Sequence, residues 1–218
     1  MARTVKRSAP ARRSYDSSRR QEQARETRRR VIDAARVSFL EEGYAQTTIA
    51  AVAESAGVSV ETVYKAFGNK PGLAKAVFDV SIVGDDEPVP LMEREFVAQN
   101  KADPDPRSKL AAFADNTAGI AERTGALLLV LRTAASTDPG AADVWDQLQA
   151  ERLTGMTFFA RHLAEGGHLR DGVSVDEARD VLWAHTSVEL WDLLVRQRGW
   201  SARRHGRWLA QQLIAALL

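Results

Sequence analysis

Between Ser59 and Lys70 the chain sets two hydroxyls (Ser59, Thr62), a phenol (Tyr64) and two ammonium groups (Lys65, Lys70) close together. Each can give or share a hydrogen bond and the lysines carry charge. Their joint chemistry is recognition of phosphate oxygens and base edges. Bond-making chemistry has fewer candidates. The 218 residues contain no cysteine, which removes disulfides, thiolate nucleophiles and cysteine-based zinc sites. The 4 histidines include no HExxH pair. His185 and Glu189 lie one helical turn apart and read first as a satisfied pair. With no third ligand, nucleophile or phosphate loop beside them, no catalytic residue, metal or cofactor is expected.

The polar groups need a scaffold, and the flanking residues supply one. From Glu22 a helical pattern runs through Ile32, Ala35 and Phe39 to a stop at Gly43. Thr47 offers a capping oxygen for a short helix whose inner face is Ile49, Val52, Ala53 and Ala56. Gly57 suits the tight turn that follows, and Ser59 caps a third helix with Val60, Val63 and Phe67 as its inward stripe. Asn69 caps a fourth, with Pro71 in its first turn and Leu73, Ala76, Val77 and Val80 along one side. Two short helices about a glycine turn behind a longer one make a helix-turn-helix, whose second helix lies in the major groove.

Charge supports that assignment. Residues 1–30 hold eleven Arg or Lys against three Asp or Glu, while the whole chain carries only +1. A basic end on an acidic body points to a nucleic-acid partner. Residues 1–21 read as a disordered arm able to enter the minor groove, with Arg28 and Arg30 reaching the backbone from the first helix.

Past the break at Gly84–Pro90 the pattern stays helical. Candidate helices are Leu91–Lys101, Arg107–Glu122, Gly125–Ala135, Ala141–Glu165, Val175–Arg196 and Ala202–Leu217. Asp138–Pro139, the Ser174/Glu177 capping box and Ser201 mark starts. No stretch alternates like a strand, so the fold class is all-α. Three regions are expected: a basic arm (1–21), a helix-turn-helix domain (22–83) and a helical regulatory and dimerisation domain (84–218). The longest apolar run, Ala126–Leu131, is too short for a membrane span. The basic start lacks the apolar stretch of a secretory signal, so a cytoplasmic location is expected.

Residues 22–76 resemble the amino-terminal domain of the TetR (tetracycline repressor) family of transcription regulators. The likeness is carried by Phe39-Leu40-Glu41-Glu42-Gly43-Tyr44, Thr47-Thr48-Ile49-Ala50-Ala51-Val52-Ala53 and Ala56-Gly57-Val58-Ser59. It continues in Thr62-Val63-Tyr64-Lys65-Ala66-Phe67 and Asn69-Lys70-Pro71-Gly72-Leu73. The resemblance implies that Thr47 and Thr48 start the second helix, that Tyr64 and Lys65 contact phosphate, and that Lys70 anchors the backbone. It implies that Val60, Glu61 and Thr62 read bases or position the recognition helix. Pro71 departs from the pattern, standing where an acidic residue is common.

The resemblance also implies a homodimer on an inverted repeat and a ligand pocket in the second region. Val181, Val188, Trp191, Val195, Trp208, Leu209, Leu213 and Leu217 are the expected dimer interface. Phe96, Phe113, Trp145, Met156, Phe158, Phe159 and Trp183, with the polar Asn116, Arg132, His162, His185 and Glu189, are the candidate pocket. A hydrophobic or aromatic effector would suit them. Three alternatives stay open: a DNA-binding dimer whose cavity is filled by its own side chains, a helical protein-interaction module, and an enzyme using His185 and Glu189.

Overall fold

The computed structural model describes residues 12–84 and 93–218, with side chains from Arg19 onward. Among the described residues there are helices and no strands. The head comprises α1 (Arg12–Glu41), a one-turn α2 (Gly43–Gln46), α3 (Ile49–Ala56), α4 (Val60–Phe67) and α5 (Lys70–Val83). The body comprises α6 (Glu95–Ala102), α7 (Pro106–Ala135), α8 (Pro139–Glu165), α9 (Val175–His185), α10 (Val188–Trp191) and α11 (Ala202–Leu217). A π-helical turn, Asp192–Gln197, continues α10.

Four expectations change. Helix α1 starts at Arg12, so residues 12–21 are helical; nothing between there and Gly43 breaks a helix, and glutamine, arginine and glutamate favour one. Residues 1–11 of the expected arm, and most of the Gly84–Pro90 break, lie outside the described residues. Helix α7 runs unbroken through Gly125, where two helices are expected. A Cβ at Gly125 would stand 2.5 Å from the Trp191 ring, so the glycine admits an indole against the helix rather than ending it. The expected Val175–Arg196 helix is divided because Ser187 caps a new start, its hydroxyl accepting from the Leu190 N–H. Finally, α2 is an added turn between α1 and α3.

The caps at Asn69, Asp138, Ser174 and Ser201 all accept a backbone N–H as their helix starts demand. Pro71 finds its reason across the fold: its ring meets the first turn of α8 at Gly140, where a Cβ would come within 2.6 Å of it.

Two apolar cores hold the chain. One begins with Ile32, Phe39, Val52, Val63, Leu73 and Val77 in the head and continues into Leu127, Leu131, Val144 and Leu148 of α7 and α8. A boundary at residue 83 therefore runs through a shared core. The other gathers Leu110, Leu163, Leu182, Leu209, Leu213 and Leu217. Leu209, Leu213 and Leu217 are each fully buried, so they complete the chain's own core rather than forming the expected interface. Helix α11 packs along α7, which gives that leucine stripe its partner. No helix among the described residues is long and apolar enough to cross a membrane.

Candidate DNA interface and ligand cavity

Helices α3 and α4 meet at Gly57, whose φ of +65° makes the turn. The Ser59 hydroxyl accepts the Thr62 N–H at 3.2 Å and shares a 2.9 Å hydrogen bond with the Thr62 hydroxyl. These two expected contacts thus organise the start of α4. Val63 is wholly buried beneath it, while Tyr64 is 51% exposed and Lys65 and Glu61 are also exposed. Val60 is exposed too, against its place in the inward stripe, because that stripe closes on Val63 and the half-buried Phe67.

The adjacent threonines exchange parts. Thr48 caps α3, accepting the Ala51 N–H at 3.1 Å. Thr47 is 2% exposed and its hydroxyl donates to the Gly43 carbonyl at 2.9 Å. A buried hydroxyl already spent on backbone neither caps α3 nor meets DNA, which corrects the reading of Thr47. Lys70 is half-buried: its Nζ donates to the Ala45 carbonyl at 3.2 Å and lies 4.3 Å from the Tyr44 ring centre. Burial pulls its pKa down, with Asp138 opposing, and the same burial with Asp138 pushes the Tyr44 phenol up to about 12. The Arg28 guanidinium lies over Phe67 at 4.8 Å, and Arg30 stands exposed beside Gly57 at the α3–α4 turn.

Behind the head, a cavity of about 670 Å³ opens between α1, α5, α7, α8, α10 and α11. That volume is in the range of small-molecule sites. Its wall is mostly apolar, with Phe78 and Val80 from α5, Ile120 and Leu128 from α7, Met156 and Phe158 from α8, and Val188 and Trp191 from α10. Of the expected pocket residues Met156 and Phe158 line it. Phe113 and Phe159 stack on each other at 4.6 Å in the second core. Trp145 packs on the first core. Trp183 covers the Arg152 guanidinium at 4.6 Å. Phe96 is exposed on α6, and Asn116 is half-buried on α7 away from the wall.

The expected His185–Glu189 pair is not made. His185 Nδ1 instead meets the Val181 carbonyl at 2.8 Å, while Glu189 takes Arg132 at 2.7 Å. The break at Ser187 separates the two residues, so one helical turn no longer joins them. His162 faces Lys109 Nζ at 2.9 Å, and that buried lysine also donates to the Asn100 and Lys101 carbonyls. Lys109 thereby ties the end of α6 to α7, which sequence reading missed. Val188 and Trp191, expected at a dimer interface, line the cavity. His205 lines it as well; it is 3% exposed and neither ring nitrogen has a partner. It too was missed, standing among the arginines of Arg203-Arg204-His205-Gly206-Arg207. No group of metal ligands occurs among the described residues.

The arrangement is a helix-turn-helix head, its recognition helix exposed, joined through a common core to a helical body with an apolar cavity. Residues 31–77 match the family model for bacterial regulatory proteins of the tetR family, which places that likeness from the second half of α1 into α5. The HTH-type transcriptional regulator TtgR of Pseudomonas putida is 44% identical over 61 residues. That alignment takes in 28% of this chain and 29% of TtgR, so the likeness in sequence spans less than a third of either protein. Solved structures extend the likeness in fold. The fatty acid degradation regulator FadR of Bacillus halodurans superposes with a TM-score of 0.69 at 18% identity, over 88% of this chain and 96% of that one. FadR of Bacillus subtilis, solved with stearoyl-CoA, gives 0.67 at 18%, over 87% and 98%.

Proposed function

We propose that this chain is a transcription regulator that binds an inverted-repeat operator as a homodimer and is released by a largely apolar effector. The carrying observation is the double service of α5. Its first turn follows the recognition helix by three residues, and Phe78, Val80, Ile82 and Val83 near its other end line the cavity. Lys75, one turn before those residues, bonds Asp79 on its own helix and Glu151 on α8. Burial acts against its charge, yet the hydrogen bonds to the two carboxylates outweigh it and hold its pKa above the ordinary value. A ligand that moves α5 therefore has a mechanical route to α4. A 100-fold loss of operator affinity needs only about 2.7 kcal/mol of coupling between the two sites.

Tyr64 and Lys65 supply phosphate contacts in this reading, with Glu61, Thr62 and Val60 toward the bases and Ser59 and Thr48 fixing the helix starts. Arg30 and Lys70 serve the backbone from the flanks. The dimer would use the outer faces of α9 and α11, where Val181, Trp208 and Ile214 are only half-buried and Trp208 lies 6.3 Å from His185. Phe78, Phe158 and Trp191 line the cavity without filling it, which favours an effector over a self-filled pocket.

The test is selection of genomic fragments by the purified protein at about 150 mM salt, where non-specific phosphate binding is already weak. One enriched inverted repeat, lost from the protein in the presence of a cavity ligand, is the expected result. Featureless enrichment that fades with salt would leave only an electrostatic basic end and sink the proposal.

A further inference from the structure

Among the polar side chains around the cavity, His205 stands apart. The Thr124 and Thr154 hydroxyls donate to backbone carbonyls one turn earlier, each at 2.9 Å. Arg152 spends its guanidinium on Gln149, the Trp183 carbonyl and Thr186. Asp79 and Glu151 hold Lys75. His205 lines the cavity from the first turn of α11, 97% removed from solvent, with both ring nitrogens unmet and closed over, so a turn of the ring is what offers one to the cavity; the Trp208 ring stacks nearby at 6.2 Å. Leaving a buried polar group unpaired is costly, and native folds rarely do so without a use for it.

We infer that His205 is the residue through which the cavity recognises its ligand, and that the group it reads is a hydroxyl on an otherwise apolar molecule. The chemistry follows from what the ring offers. A neutral imidazole has one N–H donor and one lone-pair acceptor. A hydroxyl complements either nitrogen and enters an apolar space uncharged. A carboxylate only accepts, and must be stripped of water among Phe78, Ile120, Leu128 and Trp191. The wall's two arginines are engaged elsewhere, Arg28 over Phe67 and Arg152 with Gln149 and Trp183. Burial lowers the pKa of the His205 ring and keeps it in its neutral form, consistent with this choice. A site built to bond a hydroxyl also rejects the analogue lacking it, since that analogue leaves the ring unsatisfied. The inference rests on the cavity being the effector site.

The experiment uses the full chain and three probes of one shape: naphthalene, 2-naphthol and 2-naphthoate, each titrated by calorimetry. The native protein is expected to bind 2-naphthol about tenfold more tightly than naphthalene, the preference one buried hydrogen bond supplies. In His205→Phe or His205→Leu that preference disappears while naphthalene still binds. Equal preference in the native protein and the variants overturns the role of His205, and tighter binding of 2-naphthoate overturns the hydroxyl. If none of the probes binds the native protein, the cavity reading itself falls and takes this inference with it. Should neither variant fold, nitrogen NMR of histidine-labelled native protein gives the answer. 2-Naphthol must move the ring signals of one neutral, buried histidine, and unmoved signals overturn the assignment.

Discussion

Head and body are both helical and share a core, yet they place their functional groups in opposite ways. In the head, the proposed recognition set lies within one helix and its cap, from Ser59 to Lys65, so local periodicity orients it. In the body, the cavity wall is assembled from six helices spread between Arg28 and His205. A reading surface can be local because DNA comes to it from outside. A cavity exists only where separate elements fail to close, so no single segment contains it. Perturbing a head residue should therefore change binding with little change in stability, and perturbing the body should do the reverse.

The largest effect is expected in the head. Replacing Tyr64 and Lys65 together with alanine should weaken operator binding about 100-fold and flatten its salt dependence, while the melting curve stays close to native. Fluorescence anisotropy against salt, beside thermal denaturation, measures both. A matching loss of stability would break the contrast, since it would make these exposed side chains part of the fold. The body's counterpart is Lys109→Ala. It removes the donor to two carbonyls and the contact with His162, so α6 loses its tie to α7. About 2 kcal/mol of stability should go, read by urea denaturation, with operator affinity unchanged. Next in size is Gly125→Ala, whose methyl must displace the Trp191 ring at a cost of about 1–2 kcal/mol. Because Trp191 lines the cavity, this variant should also lose probe binding.

The same division explains what the sequence made legible. The turn glycine, the caps at Ser59 and Asn69 and the buried stripe through Val63 are written in spacing, because each acts within a few residues of itself. Thr47 and Thr48 could not be told apart locally, as either hydroxyl suits an N-cap. Their roles divide only when the fold buries Thr47 and spends its hydroxyl on the Gly43 carbonyl. Aromatic residues at helical spacing mark an inward face, but spacing does not say whether that face is filled. Phe113 and Phe159 meet each other, whereas Phe158, adjacent in the chain, meets the cavity. His162 and His185 stand beside apolar residues, which drew attention to them. His205 sits among arginines, and only the approach of α7 to Gly206 carries it inside, where Ala118 lies 3.3 Å from the position of a Cβ.

A smaller effect separates the regions by pH. Burial lowers the pKa of His205, and burial, followed by the neighbouring Lys109 charge, lowers that of His162; both belong to the body. Unfolding returns each toward the ordinary 6.5, so the unfolded chain binds more protons on acidification. Their cost to stability is absent well above that value and grows as pH falls through it toward the lowered folded values. The melting temperature should drop between about pH 7 and pH 5. His205→Leu should flatten that slope in part, and an unaltered slope would mean that the ring already finds a proton partner when folded.

The smallest effect is expected at an ion pair that lies wholly within the body. Arg132 and Glu189 meet at 2.7 Å, joining α7 to α10, but their side chains are 50% and 43% exposed. Water and salt screen such a pair, and ordering two long side chains offsets much of the attraction, so Arg132→Ala should cost less than about 1 kcal/mol. The pair nevertheless reaches the helix that carries Val188 and Trp191, two residues of the cavity wall. Urea denaturation beside probe titration distinguishes the roles. A small loss of stability with native probe affinity leaves the pair as surface chemistry. A loss above about 2 kcal/mol, or a weakened probe, would exceed what a screened pair supplies and make Arg132 a strut that holds the cavity open.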